Sequence, residues 1–147
     1  MKCRIYRFDK NIPLPSKQNI TDAGYDVHSF EEVEIPPGET KLVDLGIIAE
    51  APSNWHFELF LRSSTAWKKG LRMGNSVGLI DHLYCGKSDR IKIMLWNPGK
   101  SSYLVKQGER IGQLLLKRNQ DVEWLEQDSP DFAEIGSRGG FGSTGDM

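Results

Sequence analysis

The sequence predicts an all-β domain, either a sandwich, a barrel or a jelly roll, with one short helix. Apolar runs of about four to eight residues recur along the chain, separated by Gly, Pro, Asn and Asp. Only one stretch suits a helix. The 147 residues suffice for a single domain with a hydrophobic core.

The first half of the chain supplies five predicted strand regions. In order they are CRIYRF, YDVHSF, EEVEI, TKLVDLGIIAEAP and WHFELFL, with the turn PPGE before the fourth. The fifth region alternates between apolar and polar positions, and its apolar face consists of Trp55, Phe57, Leu59 and Leu61. This pattern predicts a strand with one face against the core.

The helix is predicted over SSTAWKKG, where Ser63 or Ser64 caps it and Gly70 ends it. The second half then supplies RIKIMLWN, SSYLV and RIGQLLLK as strands. The acidic stretch DVEWLEQDSPDFAEIG predicts a last strand and a linker.

Charge and composition exclude several classes of function. The 19 basic residues are balanced by 20 acidic ones, so the basic excess of a nucleic-acid or membrane-surface binder is missing. Two cysteines are too few for a disulfide framework. The start, MKCRIYRFDK, lacks the apolar run of a signal peptide, and no stretch approaches the roughly 18 apolar residues of a membrane span. We therefore expect a cytoplasmic or otherwise intracellular protein without nucleic-acid or membrane partners.

The last residues, SRGGFGSTGDM, allow two interpretations. They contain G-x-G-x-x-G, but only Asp146 and Met147 follow, so the helix of a dinucleotide site has no room. One interpretation is a frayed terminus. The other is a flexible arm, residues 137–147 beyond a domain of residues 1–136, that closes over an anion. Such an arm would use its glycine backbone together with Arg138, Phe141, Ser143 and Thr144.

Two upstream stretches suit a phosphate or its metal. Arg62 and Ser63 lie between a strand and the helix, where free N–H groups and the helix dipole favour an anion. The alternative there is an ordinary cap with a surface arginine. In DAGYDV, Asp22 and Asp26 either form a plain β-turn or orient water on Mg²⁺. Gln113 is either a surface residue or a donor on the phosphate side.

The stretch NSVGLIDHLYCG predicts a hairpin, marked by Asn75, Gly78, Asp81, Tyr84 and Gly86. Asp81 directly follows the apolar pair Leu79 and Ile80, so it is either a turn former or a general base in a cleft. A bent hairpin also exposes backbone groups that can pair with the edge of a base. The histidines His28, His56 and His82 do not cluster, and we interpret them as surface or strand residues rather than ligands.

Five stretches occur in a fixed order: DAGYDV, RSSTAWKKG, NSVGLIDHLYCG, GERIGQ and RGGFGSTG. In their order and spacing they resemble the motifs of the trimeric dUTPase family, from Asp22 to Gly145. The resemblance implies a jelly-roll or β-clip barrel, a homotrimer with a swapped C-terminal arm, and Mg²⁺-dependent hydrolysis of dUTP to dUMP and pyrophosphate. That reaction would limit uracil incorporation into DNA and supply dUMP for dTMP synthesis.

The resemblance also implies a role for each motif residue. Asp81 corresponds to the general base that activates the water attacking the α-phosphorus, and Tyr84 to the ring that excludes a 2′-hydroxyl. Asp26 and Gln113 correspond to residues that reach the phosphate–metal cluster, mainly through water. The implied uracil-reading hairpin comprises Asn75, Gly78, Leu79 and Ile80. The implied phosphate motif comprises Arg62, Ser63 and Ser64. The implied arm contacts are Phe141 over uracil, Gly142, Ser143 and Thr144 at the γ-phosphate end, and Arg138 as a catalytic arginine finger.

The chain departs from the family pattern at three places. Leu61 stands where the family usually has proline. Lys87–Asp89 is inserted after the hairpin, and Arg90 takes the place of a usual glutamate. Gly136 occupies the usual position of the arm arginine, so we expect Arg138 to reach the γ-phosphate from a shorter arm.

Four other functions fit the sequence less well or leave one choice open. A related dCTP deaminase needs a glutamate in the strand after the hairpin, and RIKIMLWN has none. A diphosphatase acting on another pyrimidine stays open, because backbone groups decide between uracil and cytosine. A regulatory binding protein without turnover is disfavoured by the intact Asp81, Arg62 and Phe141. A structural jelly roll would not need five ordered motifs.

Overall fold

The chain folds almost entirely into antiparallel strands. A computed structural model describes residues 1–130, which form eleven strands and one short helix. The strands are β1 (Arg4–Arg7), β2 (Tyr25–His28), β3 (Val33–Ile35), β4 (Thr40–Asp44), β5 (Ile47–Glu50), β6 (Trp55–Leu61), β7 (Arg72–Met73), β8 (Gly78–Ile80), β9 (Lys92–Trp96), β10 (Tyr103–Val105) and β11 (Arg110–Arg118). The helix α1 is Ser63–Lys69. The all-β prediction with one helix is confirmed.

The strands pair into four small sheets around one core. The largest has the order β2–β11–β6–β8, the second is β4–β9–β7, and the pairs β1–β5 and β3–β10 complete the set. The largest fully buried side chains are Ile35, Leu45, Ile47, Leu59, Leu71, Ile91, Ile93, Leu95, Ile111, Val27, Val43 and Val105. Because these come from nearly every strand, the sheets share a single hydrophobic core.

Strand β6 lies inside the largest sheet and has the predicted apolar face. Phe57 and Leu59 are buried, and Trp55 and Leu61 pack against the core from either end. Its partner β11 runs antiparallel in a continuous register from Gly112 opposite Leu61 to Arg118 opposite Trp55.

A β-bulge interrupts the pairing of β11 with β2. Gln113 lies opposite Asp26, but Arg110 rather than Ile111 lies opposite His28. Residues 110 and 113 of a regular strand point to opposite faces. The extra residue reverses this relation, and the guanidinium of Arg110 contacts the carboxylate of Asp26.

The helix begins differently from the prediction. Arg62 is the N-cap residue in an extended conformation, and no side chain caps the helix. The Arg62 carbonyl instead accepts hydrogen bonds from the N–H groups of Thr65 and Ala66. The prediction of a Ser63 or Ser64 cap is therefore wrong, because both serines lie within the helix. Gly70 ends the helix in the left-handed conformation, as predicted. This seven-residue helix, the sole one in residues 1–130, is too short to cross a membrane.

The acidic stretch after β11 is not a strand in the part that the structure describes. Residues 119–130 pair with no strand there, so the predicted last strand is wrong as far as residue 130. Val122, Trp124 and Leu125 are 66%, 88% and 74% exposed. A strand needs both a pairing edge and cover for its apolar face, and this segment has neither within the described chain. The expected boundary at residue 136 lies outside the described residues.

Candidate functional site

A polar cleft lies where β2, β11 and the start of α1 meet. We call it the Asp26 cleft. It has a volume of about 230 Å³ and is lined by Gln18, Asp22, Ala23, Gly24, Asp26, Arg62, Ser63 and Gln113. The strand pairing of β11 with both β2 and β6 brings these distant stretches of sequence together.

Asp26 is the buried charge of this cleft. Its Oδ1 lies 2.7 Å from Arg62 Nε, and its Oδ2 lies 3.3 Å from Arg110 Nη1. Arg62 also donates from Nη1 to the hydroxyl oxygen of Ser64 at 3.2 Å. A guanidinium carries five N–H groups, so Arg62 can hold Asp26 and still present donors to an anion.

The Gln113 side chain occupies space in the cleft that is free because residue 24 is glycine. The Gln113 amide donates from Nε2 to the Leu61 carbonyl oxygen at 3.0 Å, which fixes its side chain across the strand end. A Cβ added to Gly24 would lie 2.3 Å from Gln113 Oε1. Gly24 is therefore the residue of DAGYDV that leaves room for Gln113 in this position.

Arg110 is a charged residue of this site that sequence reasoning missed. Strand alternation separates it from Gln113, and only the bulge in β11 brings both near Asp26. The neighbouring His28 is affected as well. Burial lowers the pKa of His28, and the Arg110 guanidinium lowers this pKa further.

A second cavity lies against the start of the NSVGLIDHLYCG stretch. We call it the hairpin pocket. It has a volume of about 380 Å³ and is lined by Leu42, Leu59, Asn75, Gly78, Leu79, Ile80, Tyr84, Ser88, Arg90 and Lys92. Its walls combine apolar side chains with backbone of β8, an arrangement that suits a flat ring with polar edges. Of the predicted site residues, Asn75, Gly78, Leu79, Ile80 and Tyr84 are all brought together here.

The prediction of a hairpin over NSVGLIDHLYCG is wrong, because β8 is the one strand within this stretch. β8 pairs with β6, whereas the preceding β7 pairs with β9, so the chain passes from one sheet to another instead of folding back on itself. Gly78 lies opposite Leu59, and an added Cβ would lie 3.2 Å from the Leu59 Cβ. The chain changes sheet between residues 73 and 78, which opens the pocket between the two sheets.

Asp81 directly follows β8 and is exposed in the single chain. Its carbonyl oxygen accepts a hydrogen bond from the Tyr84 N–H at 3.1 Å, which closes the turn. His82 Nδ1 lies 2.5 Å from the Ala51 carbonyl oxygen and donates to it, so the turn is attached to the core. The Asp81 carboxylate lies outside the lining of the hairpin pocket.

The inserted residues close a compact turn of their own. The Gly86 N–H donates to Asp89 Oδ2 at 2.7 Å, and the Asp89 N–H donates to the Gly86 carbonyl oxygen at 3.0 Å. Because the insertion closes into its own turn, the pocket is kept, and Ser88 and Arg90 form part of its wall.

The two cavities share no lining residue within the one chain. Asp26, Arg62, Ser63 and Gln113 line the first, Ser64 contacts Arg62 beside it, and the hairpin residues line the second. Residues 1–130 contain no group of three or more His, Cys, Asp or Glu side chains able to hold a metal ion. The predicted arm residues Arg138, Phe141, Gly142, Ser143 and Thr144 lie outside the described residues.

The chain is similar to known proteins over most of its length. A family model described as dUTPase matches residues 10–145. The deoxyuridine 5′-triphosphate nucleotidohydrolase of Solibacter usitatus (strain Ellin6076) is 35% identical over 147 residues, which covers 99% of this chain and 97% of that protein.

Solved structures agree with the sequence relatives. The dUTPase from Streptococcus mutans is 29% identical, with a TM-score of 0.76, over 84% of this chain and 100% of that one. A mutant dUTPase of Staphylococcus bacteriophage 80alpha, solved with dUpNHpp, is 25% identical, with a TM-score of 0.83, over 98% of each chain.

Proposed function

This chain belongs to the dUTPase family, and we propose that its two cavities hold opposite ends of dUTP. It has the dUTPase jelly-roll fold and is a dUTP diphosphatase, which hydrolyses dUTP to dUMP. The family and the activity inferred from the ordered motifs are therefore confirmed. The roles of individual residues are the proposal.

The hairpin pocket carries the proposal, because it gathers five motif residues around one cavity. The β8 backbone at Gly78, Leu79 and Ile80 provides donors and acceptors for the edge of uracil, and Asn75 adds a polar side chain. Tyr84 places its ring at the side of the same cavity, where it packs under the deoxyribose and leaves no room for a 2′-hydroxyl.

Asp81 is the proposed general base, since it follows the pocket strand directly and carries an exposed carboxylate. It takes a proton from the water that attacks the α-phosphorus. The new bond joins the water oxygen to the α-phosphorus, and the bond from this phosphorus to the bridging oxygen breaks. Pyrophosphate leaves with the bonding electrons, and dUMP remains.

The Asp26 cleft is the proposed phosphate site. Arg62 supplies charged donors, Ser63 and Ser64 lie at the helix start, and Gln113 lies across the strand end. Asp26 holds Arg62 in place, so the guanidinium is oriented before the nucleotide arrives.

The donor set of the cleft fits Mg²⁺ only as an ion shared with the triphosphate. Asp26 and Asp22 are the carboxylates of the lining, and Asp26 is already paired with two arginines. Mg²⁺ characteristically keeps several waters and binds one or two carboxylates together with phosphates. We therefore propose that Asp26 contacts the ion through water. Bound there, Mg²⁺ would neutralise charge on the phosphates.

We also propose that the complete site forms between chains of a homotrimer. Three observations support this assembly. The two cavities have separate linings, Asp81 is exposed, and the apolar side chains of residues 119–130 are uncovered. The arm then contributes Arg138, Phe141, Gly142, Ser143 and Thr144 to a site on a neighbouring chain. We place the enzyme inside the cell, where its nucleotide substrate is found.

The test is a panel of dUTP, dCTP, dTTP and UTP, with pyrophosphate release measured for each. We expect hydrolysis of dUTP in clear preference to the other three, since a tight slot rejects the 5-methyl group and the Tyr84 ring rejects the ribose hydroxyl. Equal rates on dUTP and dCTP would contradict the proposed uracil pocket.

A further inference from the structure

Arg90 lines the hairpin pocket, and its guanidinium is held by two aromatic rings and a carboxylate. Its guanidinium carbon lies 4.1 Å from the ring centroid of Phe8 and 4.5 Å from that of Phe30. Its Nε lies 2.7 Å from Asp44 Oδ2, at an angle that gives an ion pair rather than a hydrogen bond. Two aromatic rings and one buried carboxylate thus hold the guanidinium. We call this group the Arg90 clamp.

The clamp is built on the turn between β4 and β5. Asp44 Oδ1 accepts a hydrogen bond from the Gly46 N–H at 2.6 Å, which directs Oδ2 towards Arg90. The Phe30 N–H donates to the Asp44 carbonyl oxygen, and the Phe8 N–H donates to the Gly46 carbonyl oxygen. The backbones that carry both rings are therefore attached to the same turn.

Gly46 is the residue that permits this arrangement. Its φ is +64°, and an added Cβ would lie 2.4 Å from Phe30 Cδ2. Phe30 can lie against the turn, and so against Arg90, only because position 46 has no side chain.

The clamp is connected to the hairpin pocket through Tyr84. The Tyr84 hydroxyl donates to the Arg90 carbonyl oxygen at 3.3 Å, and both residues line the hairpin pocket. Two backbone hydrogen bonds hold the adjacent Ile91 against the β4–β5 turn, and the clamped Arg90 side chain holds the same backbone from the other side. The Arg90 carbonyl oxygen fixed in this way accepts the hydrogen bond that orients the Tyr84 ring.

We propose that Arg90 is a positioning residue that sets the discrimination between deoxyribose and ribose by fixing the ring of Tyr84. This inference rests on the proposed function of Tyr84 and deepens it. Arg90 itself need not contact the nucleotide. A looser clamp lets the ring move, and the space that excludes a 2′-hydroxyl then becomes accessible.

The test compares kcat/KM for dUTP with kcat/KM for UTP in the wild type, four single variants and one double variant. Arg90→Met removes the charge and the planar group, while Arg90→Lys keeps the charge that pairs with Asp44. Tyr84→Phe removes only the hydroxyl. Arg72→Met is the matched control. Arg72 donates hydrogen bonds to the carbonyl oxygens of Ala66 and Leu71 and lines neither cavity.

We expect Arg90→Met to lower the dUTP/UTP preference about tenfold, Tyr84→Phe to lower it about threefold, and Arg90→Lys to lie between Arg90→Met and the wild type. In a Tyr84→Phe background, Arg90→Met should have a smaller effect than in the wild type, because the two act through one hydrogen bond. Thermal unfolding of each variant shows whether it is folded under assay conditions.

An unchanged dUTP/UTP preference in folded Arg90→Met, or in folded Arg90→Lys should Arg90→Met fail to fold, would overturn the inference. If KM rises equally for both nucleotides in that variant, Arg90 acts on a part of the nucleotide that dUTP and UTP share. Failure of the proposed function is distinguishable, because the wild type would then show no preference for dUTP over UTP.

Discussion

Asp26 shows how one carboxylate serves both the fold and the site. Arg62 follows β6 and Arg110 begins β11, and Asp26 joins both to β2. Its own backbone pairs with Ser16 in an isolated bridge. Any change in its charge therefore acts on the positions of both arginines.

Asp26→Asn should lower the free energy of unfolding by about 1–3 kcal/mol, because two arginines lose a charged partner in a partly buried cleft. The exposure of Arg110 keeps the expected cost below the roughly 3–5 kcal/mol lost when a fully buried ion pair is broken. Urea denaturation measures the change. An unchanged midpoint with unchanged slope would show that the ion pairs contribute nothing net.

Asp81→Asn should keep nucleotide binding and lose most turnover. General-base assistance is worth about 10²–10⁴-fold, and the substitution hardly changes the size of the side chain. Steady-state kinetics with dUTP measure kcat, and a binding assay with a non-hydrolysable analogue measures affinity. A variant with the wild-type kcat would identify another group as the base.

His28 predicts a pH dependence of stability. Its pKa is lowered in the folded chain, so below a pH of about 6.5 the unfolded state binds more protons than the folded state. Stability should therefore fall as the pH drops from about 7.5 to 5.5, and His28→Asn should reduce the slope. Urea unfolding at both pH values gives the change in unfolding free energy with pH for each protein. An equal change in the wild type and in His28→Asn would exclude His28 as a cause.

At the scale of elements, two glycines end or turn elements in the same left-handed conformation but in different surroundings. Gly70 ends α1 at φ +70°, and an added Cβ would meet no atom within 4 Å. Gly46 turns the chain between β4 and β5 at φ +64°, against the ring of Phe30. Substitution of Gly70 therefore tests backbone strain alone, whereas substitution of Gly46 tests backbone strain together with steric overlap.

Gly70→Ala should cost about 1–2 kcal/mol of unfolding free energy, which is the strain of a left-handed alanine. Gly46→Ala should cost about 1–3 kcal/mol more, because the Phe30 ring must also move. Denaturation of both variants gives the difference. Equal losses would mean that the Phe30 ring adjusts without cost and that the Arg90 clamp is softer than its contacts imply.

At the scale of the whole molecule, the question is whether one chain contains a complete site. Asp81 is exposed, and the Asp26 cleft and the hairpin pocket have separate linings. The arm residues lie beyond the described part of the chain. A site shared between chains has a distinctive signature when two inactive variants are mixed.

Asp81→Ala and a truncation ending at Gly136 should each be inactive alone. Co-expressed in equal amounts, they should recover roughly a quarter of wild-type activity if base and arm come from different chains of a symmetric assembly. Mass measurement of the assemblies confirms that subunits have mixed. If mixed assemblies stay inactive, each chain closes its own arm over its own site. That result would contradict the shared site but not the assignment of dUTP hydrolysis to this chain.

The sequence by itself determined most of the strand pattern, though not the absence of a strand in residues 119–130, together with the helix end at Gly70 and the family. These depend on local periods, on a residue that tolerates positive φ and on the order of five short motifs, all of which are written along the chain. The sequence also predicted a residue suited to phosphate or its metal in each of DAGYDV, RSSTAWKKG and GERIGQ. The structure brings Asp26, Arg62 and Gln113 of these motifs into one cleft, while their roles stay predictions.

Only the tertiary structure decided how Arg110 and Arg90 are used. Arg110 reaches Asp26 because a bulge adds one residue to β11 and reverses its alternation. The isolated Gly112 in RIGQLLLK is a local hint of a bulge, but it does not tell which partner Arg110 then meets. Arg90 is held by Phe8, Phe30 and Asp44, which lie 82, 60 and 46 positions away along the chain. Contacts over such separations arise from sheet packing, and a one-dimensional pattern does not contain them.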